Sequence, residues 1–162
     1  MDRKALRFVK RYDLDAEAIR AAGHVAYVLP EHPDRNEFNQ YFGSAGERKL
    51  VVYDNQSRDV PQGDGEGWRV LYDGYDVVSA WSAYEAAWMV ESYVTDEVAE
   101  LYLFSPGDND YHVLFGRRSS LATHRKYLDE ISSTYGRYVR SLPISTETQE
   151  AMMNEFEKLT VR

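Results

Sequence analysis

Six short β-rich runs constrain any fold of this chain: HVAYVLP (24–30), KLVVYD (49–54), WRVLY (68–72), YDVVS (75–79), ELYLF (100–104) and DYHVLFG (110–116). Runs of this length, rich in Val, Tyr, Phe and Leu and bounded by turn residues, read as strands. KLVVYD is apolar on both faces, as a central strand is. HVAYVLP ends on Pro30, which suits a strand leaving its sheet. Asp73-Gly74 stands between WRVLY and YDVVS, and a type I′ turn needs two such residues at positive φ, so a hairpin is expected there.

Helical patterns fill the intervals. RKALRFVKRY (3–12) places Ala5, Phe8, Val9 and Tyr12 on one face and Lys4, Arg7, Lys10 and Arg11 on the other. DLDAEAIRAAG (13–23) reads as a short helix capped by Asp13 or Asp15 and stopped at Gly23. DRNEFNQYFG (34–43) opens on Asp34 with Glu37 three residues on, a capping-box spacing. Ser82 and Glu85 repeat that spacing, which predicts a helix from about 83 to 95 with a stripe of Ala83, Ala87, Val90 and Val94. The segment 119–140 is the most amphipathic of all. Leu121, His124, Leu128, Ile131, Tyr135 and Val139 share one face, and Pro143 ends it. A last helix over 146–159 carries Thr146 as its cap.

The order from Trp68 is strand, strand, helix, strand, strand, helix, which makes two hairpin-plus-helix units, 68–95 and 100–141. The expected fold class is therefore α+β: a single, mostly antiparallel sheet of five or six strands. Helices lie mainly on one face, with helical extensions at the N- and C-termini. Residues 1–162 read as one domain with a flexible acidic loop over 55–67.

The chain has no Cys, which excludes disulfides, thiol nucleophiles and Cys-ligated zinc. No apolar run nears the roughly 20 residues of a membrane span, and a cytoplasmic location is expected. The net charge of −8 is unevenly spread. Residues 54–110 carry thirteen carboxylates and two arginines, whereas 1–12 and 117–140 are each net positive. Such a field bears on partners and association rates.

Catalytic and metal motifs are weak. Asp108, Asp110 and His112 alternate, but they lack the further ligands that a metal needs, so neither metal nor cofactor is expected. GDGEG (63–67) has neither the spacing nor the Lys of a phosphate-binding loop. The expected function is a non-catalytic acidic protein-interaction module, inhibitor, immunity or adaptor-like, or a DNA mimic, with a basic protein partner. Its surface would comprise Tyr84, Trp88, Glu91, Asp96, Glu97 and Glu100. One alternative is nucleic-acid binding through Arg7, Lys10, Arg11, Arg117, Arg118, Arg125 and Lys126. Another is a small hydrolase-type enzyme with a His/Asp acid–base site drawn from His112, Asp110 and His124.

Overall fold

The β-rich runs pair into one antiparallel sheet of six strands, in the order β1-β6-β5-β4-β2-β3. The strands are β1 (Val25–Pro30), β2 (Leu50–Asn55), β3 (Trp68–Gly74), β4 (Glu91–Asp96), β5 (Leu101–Ser105) and β6 (Tyr111–Gly116). This computed structural model describes residues 4–10, 13–43, 48–55, 67–87, 89–107 and 111–160. The expected α+β class and antiparallel sheet are present.

Helices α1 (Ala16–Ala21), α2 (Arg35–Phe42), α3 (Val77–Ala86), α4 (Arg118–Leu121), α5 (Arg125–Ser133), α6 (Tyr135–Ser141) and α7 (Thr146–Thr160) pack on both faces of the sheet, not mainly on one. The reason lies in strand composition. Adjacent residues of a strand point to opposite faces. In β5 and β6 both sets are large and apolar: Tyr102, Phe104, Val113 and Phe115 on one side, Leu101, Leu103 and Leu114 on the other. Each side then needs a cover. The aromatic side is covered by residues 5–9 and by α1, α6 and α7. The aliphatic side lies under Phe38, Phe42, Trp81, Tyr84 and Leu128 of α2, α3 and α5.

The caps of α1 and α2 are as the sequence suggests. Asp15 accepts the Ala18 amide at 3.1 Å, and Asp34 accepts the Glu37 amide at 2.8 Å. Residues 4–8 keep the expected apolar face, with Ala5, Phe8 and Val9 buried, but run through turns instead of a helix. The cap of α7 belongs to Ser145, whose hydroxyl accepts the Thr148 amide, and not to Thr146.

The unit over 100–141 forms a hairpin followed by helix, as expected. The unit over 68–95 does not. No strand follows Asp73-Gly74; Asp76 caps α3 instead, accepting the Val78 and Ser79 amides at 3.4 and 3.1 Å. The inward face of α3 is Ala80, Trp81, Tyr84 and Ala87, a shift from the expected stripe. Ser82 is not a cap but sits inside the helix and donates to the Val78 carbonyl. Val90 and Val94 lie beyond it, and ESYVTD becomes the fully buried β4.

The amphipathic segment after β6 is interrupted by a single 3₁₀ turn at Ala122–His124 and by a break at Thr134. That break re-aims its apolar side. Leu121 and Leu128 join the aliphatic core, whereas Tyr135 and Val139 join the aromatic one. The segment thus passes around the edge strand β1 and shields it, a standard protection for a sheet edge.

Candidate interaction surface

Among the described residues, most carboxylates of the acidic middle segment are engaged within the molecule. Asp54 receives Arg69 in a two-pronged pair at 2.7 and 3.2 Å. Asp96 is fully buried, with Arg48 at 2.9 Å and the Ala99 amide at 3.0 Å. Lys49 meets Asp73 at 2.9 Å. Arg7 reaches Glu97 at 3.1 Å, donates to the Tyr102 hydroxyl at 2.8 Å, and lies 4.3 Å from the Phe8 ring centroid. Glu100 faces His24 at 3.9 Å and pairs with Arg117. Two of these cations, Arg7 and Arg117, come from the basic segments, whereas Arg48, Lys49 and Arg69 lie in or next to the acidic one.

Burial corrects the surface expected from sequence. Tyr84 is 0% exposed, its ring stacked on His32 at 4.8 Å and its hydroxyl hydrogen-bonded to Ser105. Glu91 and Asp96 are buried in β4 and offer nothing to a partner. Glu97 and Glu100 are half-buried and paired as above. Trp88 lies outside the described residues, as do Asp110, Asp108 and Arg11. Of the basic set, Lys10 faces Asp15 at 3.7 Å and Arg125 faces Asp129 at 3.6 Å. Arg118 and Lys126 are exposed.

Two of the histidines, His112 and His124, lie beside Tyr41 of α2, in a polar seam between that helix and the sheet. His112 is 0% exposed, and its Nδ1–H donates to the Glu31 carbonyl at 2.6 Å. That leaves Nε2 as an acceptor for the Tyr41 hydroxyl, 3.2 Å away. The same Tyr41 hydroxyl lies 3.3 Å from Glu37, which also accepts from Tyr127 at 3.4 Å. One phenolic proton thus faces two acceptors. Burial pushes the His112 imidazole down to about 4, raises the Glu37 carboxyl and raises the Tyr41 phenol. Glu31 holds φ at 61°, a left-handed conformation that presents its carbonyl to His112. His124, expected in the core, is only half-buried, with its ring 6.5 Å from that of Tyr41. Tyr41 therefore stands between the two histidines, a residue the sequence did not single out. His112 itself is sealed from solvent and presents no face to a substrate. Among the described residues no cluster of three or more His, Asp or Glu could hold a metal ion.

Among the described residues, the aromatic face is least covered at its β2–β3 end. Tyr53 of β2 and Trp68 of β3 are buried there, the Trp68 indole donating to the Lys10 carbonyl at 3.3 Å, but Val70 is left exposed. A groove of about 460 Å³ lies there, lined by Val51, Tyr53, Val70 and Val98, with Asp73 and Glu97 among its walls. Val70 is 45% exposed and Val98 72%. β3 is the outermost strand and pairs only with β2 among the described residues. It carries a bulge: Val52 opposes Tyr72 and Tyr53 opposes Val70, leaving Leu71 unmatched. Among the described residues, the large hydrophobic side chains that stay exposed are Val70, Tyr75, Val78, Met89 and Val98, all within residues 70–98.

Compared with protein-family models, with curated proteins and with solved structures, the chain matches none.

Proposed function

We propose that this protein is a non-catalytic interaction module, inhibitor, immunity or adaptor-like, whose contact surface is the open β2–β3 end of the sheet. The observation that carries this reading is the groove itself, with Val70 and Val98 exposed along it; among the described residues the other exposed large apolar side chains, Tyr75, Val78 and Met89, lie on or beside α3. Exposed apolar surface of this kind marks partner sites on soluble domains. Asp73 and Glu97 at the groove are held by Lys49 and Arg7, so a partner bearing basic groups can compete for them while burying aliphatic contacts between. The bulge in β3 guards the strand against indiscriminate edge pairing and leaves recognition to side chains. Because Asp54 and Asp96 are buried and paired, support for a DNA mimic is reduced. Arg7 and Arg117 are likewise engaged with carboxylates, which draws support from a nucleic-acid grip.

The test is a tagged wild-type chain and a Val70→Arg/Val98→Asp double variant, each used to capture partners from the native host with and without nuclease. The reading expects a protein band that resists nuclease, weakens in salt and is lost in the variant at unchanged melting temperature. A band retained by the variant, or one abolished by nuclease, refutes it.

A further inference from the structure

At the opposite edge of the sheet, where α4 follows β6, a second cavity of about 540 Å³ opens between β1 and the start of the amphipathic segment. Its floor is apolar: Val25, Tyr27 and Leu121 are all buried side chains of the aliphatic core. Its walls carry three guanidinium groups, Arg117, Arg118 and Arg125. We propose that this cavity binds a small amphipathic anion, a carboxylate or phosphate head on an aliphatic or aromatic body.

Three features carry the assignment. Guanidinium groups donate hydrogen bonds and accept none, so a ligand at these walls must bring the acceptors. Apart from the hydroxyls of Tyr27 and Ser119, the lining away from the arginines is the apolar surface of Val25, Leu121 and Ala122, which suits an apolar body. Competing carboxylates are few. Arg117 is shared with Glu100, Arg125 makes only an exposed contact with Asp129 one helical turn away, and Arg118 has no ion pair among the described residues. The volume lies inside the span of roughly 300–1,000 Å³ usual for small-molecule sites. A nucleic-acid backbone would use the arginines but leave the apolar floor empty, and for that reason the amphipathic ligand is favoured.

The backbone holds this arrangement in place. Gly116 allows β6 to pass so close to Glu100 that a Cβ there would lie 2.1 Å from the Glu100 carbonyl oxygen. The Arg117 amide donates to that same carbonyl at 2.9 Å. The first arginine thereby leaves the sheet at a fixed point beside the cavity.

Isothermal titration of the full chain with decanoate tests the proposal. One saturable site is expected, with decanol and inorganic phosphate each binding at least about tenfold more weakly, because each lacks half of the required chemistry. Arg118→Gln and Arg125→Gln should each weaken decanoate about tenfold, and Ala122→Phe, which fills the cavity from an exposed wall position, should abolish binding. All three side chains are exposed, so melting temperatures should stay at the wild-type value. The proposal is overturned if decanol matches decanoate, if the variants bind as the wild type does, or if a short single-stranded oligonucleotide binds as tightly as decanoate.

Discussion

The two faces of the sheet solve the same packing problem with opposite materials. On one face the strands themselves bring the rings. Tyr53 lies opposite Tyr93, and Tyr102 opposite Phe115, and all four stack at centroid distances of 5.2–6.4 Å. The cover there is a thin segment near the N-terminus with α1, α6 and α7, pinned by polar contacts such as the Tyr93 hydroxyl donating to the Ala5 carbonyl at 3.0 Å. On the other face the strands bring mostly leucine and valine, with Tyr27 of β1, and most of the buried rings come from α2 and α3 above. Flat rings on strands make a rigid surface that a few side chains can cap. Aliphatic strands need a roof, and α2, α3 and α5 supply one. The difference shows in where each cover thins: the aromatic face leaves Val70 and Val98 exposed beside β2 and β3, whereas the aliphatic face opens at its β1 edge beside Arg117 and Arg118.

The largest expected effect strikes at the thin cover. Phe8 is buried against Tyr102 at 5.1 Å and Phe115 at 5.6 Å, and Phe8→Ala should cost about 3–5 kcal/mol by chemical denaturation. Leu128→Ala, in the helical roof of the other face, should cost about 2–5 kcal/mol. A near-neutral Phe8→Ala beside a costly Leu128→Ala would show that the aromatic strands need no cover and would break the comparison.

The next effect is a pH dependence that is greatest on the roofed face. An unfolded histidine titrates near 6.5, whereas folded His112 is held at about 4 by burial. The folded state resists protonation, so stability is full above about pH 6.5 and falls as pH drops towards about 4, by on the order of 3 kcal/mol. In His112→Gln the slope of stability between about pH 7 and about pH 4.5 should flatten markedly. His24, lowered by burial in the aromatic core, contributes a smaller slope of the same sign. Glu37 has the opposite sign: its raised carboxyl relieves strain as pH falls through its folded value. An unchanged slope in the variant would place the acid sensitivity elsewhere.

Tyr41→Phe should cost about 1–3 kcal/mol, since it strips the buried His112 Nε2 of its donor. The smallest effect belongs to the open end. Val70→Ser and Val98→Ser should each stay within about 0.5 kcal/mol of wild type, as bare positions do. A cost above about 2 kcal/mol at either would mean that the groove is covered in solution and that the aromatic face has no open end.

Legibility in the sequence followed the range of the forces involved. The region 100–141 was readable because its signals are local: β-rich runs on either side of a Pro-Gly turn, then an amphipathic period. The region 68–95 was misread for equally physical reasons. Val77 and Val78 are β-branched and weak helix formers, so the first turn of α3 resembles a strand. Its true start is fixed by a single carboxylate, Asp76, two residues past a dipeptide with a strong hairpin signal. β4 hides behind Glu91, Ser92, Thr95 and Asp96, polar residues that tolerate burial through local bonds, as Ser92 makes to the Ala87 and Val90 carbonyls, and through a distant partner, Arg48, for Asp96. The ion pairs that consume the acidic segment were invisible for the same reason, and with them the burial of the expected contact residues.

The pairing of β1 with β6 has a kinetic consequence. Val25 lies opposite Gly116, so this ladder closes a loop of most of the chain. The β4–β5–β6 meander closes with short loops and can form early. β1 cannot dock until β6 exists, and the segment that then wraps its edge is made later still. On a ribosome β1 must therefore wait, its edge unpaired, until β6 has emerged. Loop closure over that distance predicts slow assembly, with β1 as the last strand to join.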